Sequence, residues 1–98
     1  MQTTHVLEVA IFKVKSDHVN QIATLRAGMR ATLKDFPGLI EFNGYCPAGA
    51  FADIVKWSSH EHANAAAKAI ESGDTRFLPY MSAIEEVTFM GHFVPDAA

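Results

Sequence analysis

The first apolar run, THVLEVAIFKV over residues 4–14, is rich in β-branched side chains and predicts a strand. After it the period changes. Val19, Ile22, Leu25, Met29, Leu33 and Phe36 recur three or four residues apart, which predicts an amphipathic helix over 16–36 with Ser16 or Asp17 as N-cap. Pro37-Gly38 should end that helix, because proline cannot continue the hydrogen-bond ladder and glycine permits the exit turn. LIEFNGYC over 39–46 alternates as a second strand, Pro47 to Ala50 supplies a turn, and FADIVKW over 51–57 is a third strand. A second helix is expected over 59–71 with Gly73 as its C-cap. A short connector over 74–82, broken by Pro79, leads to a last strand over 83–94.

The order β-α-β-β-α-β predicts one ferredoxin-like α+β domain over residues 1–98, an antiparallel sheet with both helices on one face. Such a sheet is ordinarily polar on its open face. Here neither face is. On the first strand His5, Leu7, Val9 and Ile11 alternate with Val6, Glu8, Ala10, Phe12 and Val14. On the last, Val87, Phe89 and Phe93 alternate with Ile84, Met90 and Val94. Leu7, Val9 and Phe89 are assigned to the helix side. Val6, Ala10, Phe12, Ile84, Met90 and Val94 are assigned to an open face that a second copy should cover, giving a homodimer. Glu8 and Lys56 would then form a cross-strand ion pair on that dimer face.

Composition narrows the partners. The chain of 98 residues is 49% hydrophobic and 19% charged, the make-up of a folded domain. A net charge of −3 gives no basic face for nucleic acid or anionic membrane, and no apolar run spans a bilayer. Cys46 is the single cysteine, so no internal disulfide forms, and a cytoplasmic setting is expected. A small apolar or aromatic molecule, or a protein, is left as the partner.

Two segments, VLEVAIFKVKSDHVNQI and FADIVKWSSHEHANAAAKA, resemble the antibiotic biosynthesis monooxygenase domain of the dimeric α/β-barrel superfamily. The resemblance implies a cavity between the sheet and its helices, with Trp57, at the end of the third strand, lining it. It also implies one of two chemistries: cofactor-independent oxygenation of phenolic substrates to quinones, or haem degradation. Asp53 stands where the quinone-forming members carry an asparagine. Ala65, Ala66 and Ala67 stand where the haem-degrading members place an iron-binding histidine, and the first strand lacks their asparagine, so no haem or other cofactor is expected.

Among individual residues, SSHEHA over 58–63 suggests a metal site but lacks the second histidine of HExxH, position 64 being asparagine. His60 and His62 diverge on a helix, while Ser58 and Glu61 fit a capping box, so no metal is expected. Trp57 is either a core filler or the stacking wall of a flat pocket, and the alanine stripe Ala63, Ala66, Ala67 either draws the helix close or leaves a void. Asp53, in an apolar row, is a candidate base toward a phenol, with Arg26 as its potential partner; a solvated strand-edge aspartate is the plainer alternative. His5 is a second acid/base candidate if the register sets it opposite Trp57. Tyr80 as a lid, with Met29 and Phe89 as walls, completes the substrate-binding set. A non-catalytic ligand-binding or stress-associated protein remains the alternative function.

Overall fold

The computed structural model describes residues 5–46 and 50–96. Strand β1 (Val6–Val14) leads through a 3-10 turn (Ser16–Gln21) into helix α1 (Ile22–Leu33). The single helix expected over 16–36 is thus two pieces, and Ser16 and Asp17 lie inside the 3-10 turn rather than capping it. The N-cap position falls to Lys15, whose amide donates to the Ala83 carbonyl at 2.9 Å. Ile22, Arg26, Met29 and Leu33 form the buried stripe of α1, an apolar row with one guanidinium in it. The chain turns at Gly38, whose φ of +88° few other residues adopt.

Strands β2 (Leu39–Tyr45) and β3 (Phe51–Trp57) follow, and the turn expected at 47–49 lies outside the described residues. Helix α2 (His60–Glu71) is capped one residue later than the sequence suggested. Ser59, not Ser58, accepts the His62 amide at 3.2 Å, and the His62 ring rather than Glu61 closes the motif, with Nδ1 2.7 Å from Ser59 Oγ. A 3-10 turn (Thr75–Phe77) and helix α3 (Leu78–Ala83) make up the short connector expected over 74–82. Pro79 sits in the first turn of α3, where its missing N–H costs nothing, so it starts a helix instead of breaking one. Strand β4 (Ile84–Phe93) ends the fold.

The strands order as β2-β3-β1-β4, every neighbouring pair antiparallel, and the helices cover one face. The register pairs Val6 with Trp57, Val55 with Glu8 and Asp53 with Ala10. Val6, Glu8, Phe12 and Val14 are therefore buried under the helices with Asp53, Val55 and Trp57. This reverses the sides expected for β1. Both of its rows are apolar, so hydrophobicity could not choose between them; the pairing with β3 does. Two irregularities in the β1–β4 ladder, at Ile11/Phe12 and Lys13/Val14, also break the simple alternation of β4. Ile84, Val87 and Met90 join the helix side, while Phe89 and Phe93, paired with Ile11 and Leu7, lie on the other.

Candidate functional site

A cavity of about 220 Å³ lies between the sheet and the helices. Trp57, Val55, Phe12 and Phe42 line it from the sheet, Met29 and Leu33 from α1, Ala66 and Ile70 from α2, and Tyr80 and Met81 from α3. Close packing would ordinarily leave no such space. On the α2 side Ala66 contributes only a methyl group to this wall. Val87 and Met90, about half exposed, form the rim where the cavity meets solvent beside β4. The polar groups in this wall are few: Asp53, Tyr80 and Glu8.

Asp53 and Tyr80 belong to a closed cluster. Arg26 Nε and Nη2 both reach Asp53 Oδ1 at 3.0 Å, and the Tyr80 hydroxyl donates to Asp53 Oδ2. Arg26 Nη2 also donates to the carbonyls of Tyr45 and Ala52, at 3.1 and 3.2 Å, so it ties β2 to β3. Its Nη1 points at Cys46 Sγ, 3.6 Å away, a basic neighbour the sequence did not suggest. Gly44, opposite Asp53 on β2, admits this guanidinium: a Cβ there would stand 2.5 Å from Arg26 Nε. Burial pushes the Asp53 carboxyl above its ordinary range, against the pull of the Tyr80 hydroxyl and Arg26. Burial likewise drives the Tyr80 phenol upward, reinforced by the adjacent carboxylate. On Arg26 burial opposes the charge, but Tyr80 and Asp53 outweigh it and raise the pKa. Both carboxylate oxygens of Asp53 are engaged.

Glu8 is the other carboxylate, and the sequence reading had placed it on the far face. Instead it is buried beside Trp57, and the indole Nε1 donates to Glu8 Oε1 at 3.0 Å. Lys56, its expected partner, faces the opposite side and approaches Glu41 at 3.9 Å. Glu8 Oε2 faces His92 Nε2 across 3.8 Å. Burial raises the Glu8 carboxyl above its usual range, more than the Trp57 hydrogen bond and His92 lower it. One oxygen is fixed by the indole, and the other faces His92.

Of the residues singled out from the sequence, Asp53, Trp57, Tyr80 and Met29 meet in this wall, and Arg26 lies behind it, against Asp53. Phe89 does not, because its side chain is on the opposite face, 43% exposed. His5 precedes β1, and Val6 rather than His5 pairs with Trp57. Leu7 and Val9, expected as cavity walls, share the far face with Phe89. Glu8, His92 and Met90 were missed, though a lone carboxylate in the Val6-Ala10-Phe12 row was a legible anomaly. Among the described residues no three His, Cys, Asp or Glu side chains converge on a common metal position, and no helix is long and apolar enough to cross a membrane.

The chain matches no protein-family model and no curated protein sequence. Solved structures do resemble it. A Bordetella bronchiseptica protein named after the antibiotic biosynthesis monooxygenases superposes with a TM-score of 0.73 at 10% identity, over 99% of each chain. The fold is that of the antibiotic biosynthesis monooxygenases. SnoaB, a cofactor-independent oxygenase from Streptomyces nogalater, shares this fold with a TM-score of 0.65 at 19% identity, over 95% of this chain and 92% of its own. MupZ from Pseudomonas fluorescens matches with a TM-score of 0.72 at 9% identity, over 94% of this chain and 69% of its own. At such identities the likeness fixes the arrangement of strands and helices and leaves the chemistry to the side chains.

Proposed function

We propose that this protein is a cofactor-independent oxygenase of small phenols, with Glu8 as general base. The observation that carries the reading is the Glu8–Trp57 hydrogen bond at the wall of an apolar cavity. Burial raises the Glu8 carboxyl above its usual range, which makes its anion a stronger acceptor for a phenolic proton. Asp53, the base suggested by the sequence, is the weaker choice, because Arg26 and Tyr80 occupy its oxygens. Trp57 offers an aromatic surface for the substrate, and the bond to Glu8 holds base and surface in fixed relation.

Size restricts the substrate. The volume of about 220 Å³ exceeds the roughly 150 Å³ apolar cavity that accepts benzene and falls below drug-sized sites of about 300 Å³ or more. One or two rings fit. With 1-naphthol, Glu8 takes the hydroxyl proton, and the electron-rich naphtholate reduces dioxygen and forms a carbon–oxygen bond at C4. Cleavage of the O–O bond leaves one oxygen atom as the second quinone carbonyl. The other departs as water, its two protons drawn from solvent and equal in number to the hydrogens the substrate loses. Naphthol plus dioxygen thus gives 1,4-naphthoquinone plus water.

The test follows quinone absorbance from 1-naphthol under air and under argon, with labelled dioxygen to trace the new carbonyl. Air-dependent quinone carrying one labelled atom, lost in Glu8→Gln and reduced in Trp57→Phe, supports the proposal. Saturable binding of 1-naphthol without any quinone would instead make the cavity a binding site for small apolar molecules.

The far face supports a homodimer, through a different set of residues from those the sequence suggested. Leu7, Val9, Ile11 and Ile54 lie there beside Phe89 and Phe93, the last two 43% and 48% exposed. The ion pairs Lys13–Glu86 and Lys56–Glu41 lie on the same face. An apolar centre with charged groups at its margin has the anatomy of a protein interface, and monomers seldom leave such a patch in water.

A further inference from the structure

A proton taken up by Glu8 must leave before the next turnover, and the surrounding walls are apolar. Glu8 Oε1 is committed to the Trp57 indole, so transfer runs through Oε2. Facing that atom is His92, its partner in the β1–β4 register. The geometry points to Glu8 and His92 as a proton-relay pair: Glu8 receives the substrate proton at Oε2, and His92 conducts it to solvent beside His60. The identity of the proton donor rests on the oxygenase reading above; the coupling between the two residues does not.

Three observations support the relay. His92 Nε2 is buried without a hydrogen bond, and among the described residues it is the one buried side-chain nitrogen or oxygen so left. Buried polar atoms are rarely orphaned, and this one is directed at a carboxylate. The 3.8 Å from Nε2 to Oε2 exceeds a direct hydrogen bond, and a small side-chain adjustment or one bridging water spans it. Finally, His92 connects the inside to the outside. Its side chain is 22% exposed, and its ring meets the exposed His60 edge-on with centroids 5.2 Å apart. An imidazole that accepts at Nε2 and releases at Nδ1 carries a proton across its own width.

The charged and titratable groups around Glu8 favour this direction. His92 from β4 and the Trp57 N–H from β3 stabilise its anion, while Asp53, also from β3, opposes it. On α2, His60 lies beyond His92. His92 is a positioning and relay residue acting through Glu8, and it has no required contact with substrate.

Trp57 is the single tryptophan, and its indole is bonded to Glu8, so its emission reports the protonation of that carboxyl. Emission is titrated against pH in the wild type, Glu8→Gln and His92→Gln, with far-UV circular dichroism confirming that each is folded. The relay pair predicts a transition in the wild type that Glu8→Gln abolishes. His92→Gln should move it upward by about one pH unit or more, because the imidazole that faces the carboxylate and favours its anion is gone. An identical midpoint in folded His92→Gln and wild type overturns the coupling. With 1-naphthol, His92→Gln should lower kcat about tenfold or more at unchanged KM, and free imidazole should restore turnover to His92→Ala. Equal kcat across pH in wild type and His92→Gln overturns the relay. A wild type that forms no quinone at any pH defeats the oxygenase reading, and the emission titration then decides the coupling alone.

Discussion

Arg26 shows how little of its environment a residue's type reveals. It occupies a position of the α1 apolar stripe that spacing alone would give to leucine, yet its side chain is 7% exposed and paired with Asp53. Removing one member of a buried pair leaves the other charged and desolvated. Arg26→Leu should therefore cost about 3–5 kcal/mol in chemical denaturation. The double variant Arg26→Leu/Asp53→Leu should recover part of that loss, since no orphaned charge remains. Glu8 has a different signature. Its folded-state pKa is raised, so below the ordinary value of 4.5 the carboxyl is neutral in both folded and unfolded chains. As pH rises past that value the unfolded chain ionises first, and the folded state loses stability until its own raised pKa is passed. Glu8→Gln lacks this loss. The stability of the variant relative to wild type should increase as pH rises past 4.5 and level off once the raised folded-state pKa is passed, while Asp53 contributes the same trend to both and cancels.

At the level of elements, the two glycines near Arg26 should respond in opposite ways to the same change. Gly28 lies on the exposed face of α1, and a Cβ there meets nothing within 4 Å. Gly28→Ala should stabilise by about 0.5–1 kcal/mol, because alanine loses less backbone freedom in a helix. Gly44 on β2 faces the guanidinium, and Gly44→Ala must push Arg26 off Asp53, costing about 1–3 kcal/mol as overpacking does. Thermal melts of the two variants separate the cases. Elements were also where the sequence was most legible. The periods of α1 and α2, the glycine at 38 and the alternation of β3 located these elements and grouped Asp53, Val55 and Trp57 in one row, which the structure places on the helix side. The sides of β1 were not legible, because Val6-Ala10-Phe12 and Leu7-Val9-Ile11 are equally apolar. In β4 the extra residues opposite Ile11 and Lys13 break the period of two, which hid the inward set Ile84, Val87 and Met90. Glu8 and His92 were lost with those two strands.

For the whole molecule, the exposed phenylalanines are where the proposed homodimer can be tested. Phe93→Glu places a charge in the apolar centre of the far face, where a second copy would have to desolvate it. Sedimentation should find the wild type at twice the chain mass at micromolar concentration and Phe93→Glu at the chain mass, with 1-naphthol binding retained because Phe93 is absent from the cavity wall. The order β2-β3-β1-β4 carries a temporal consequence as well. The first strand of this fold needs partners drawn from its third and its last strand, with Leu7 meeting Phe93. During synthesis β1 therefore waits with one edge unpaired until β4 has been made. Closing such distant pairs is slow, which puts refolding in the range of milliseconds to seconds. A nascent chain stalled before β4 would lack His92 and leave Glu8 without its neighbour, so the pair can form only once β4 has emerged.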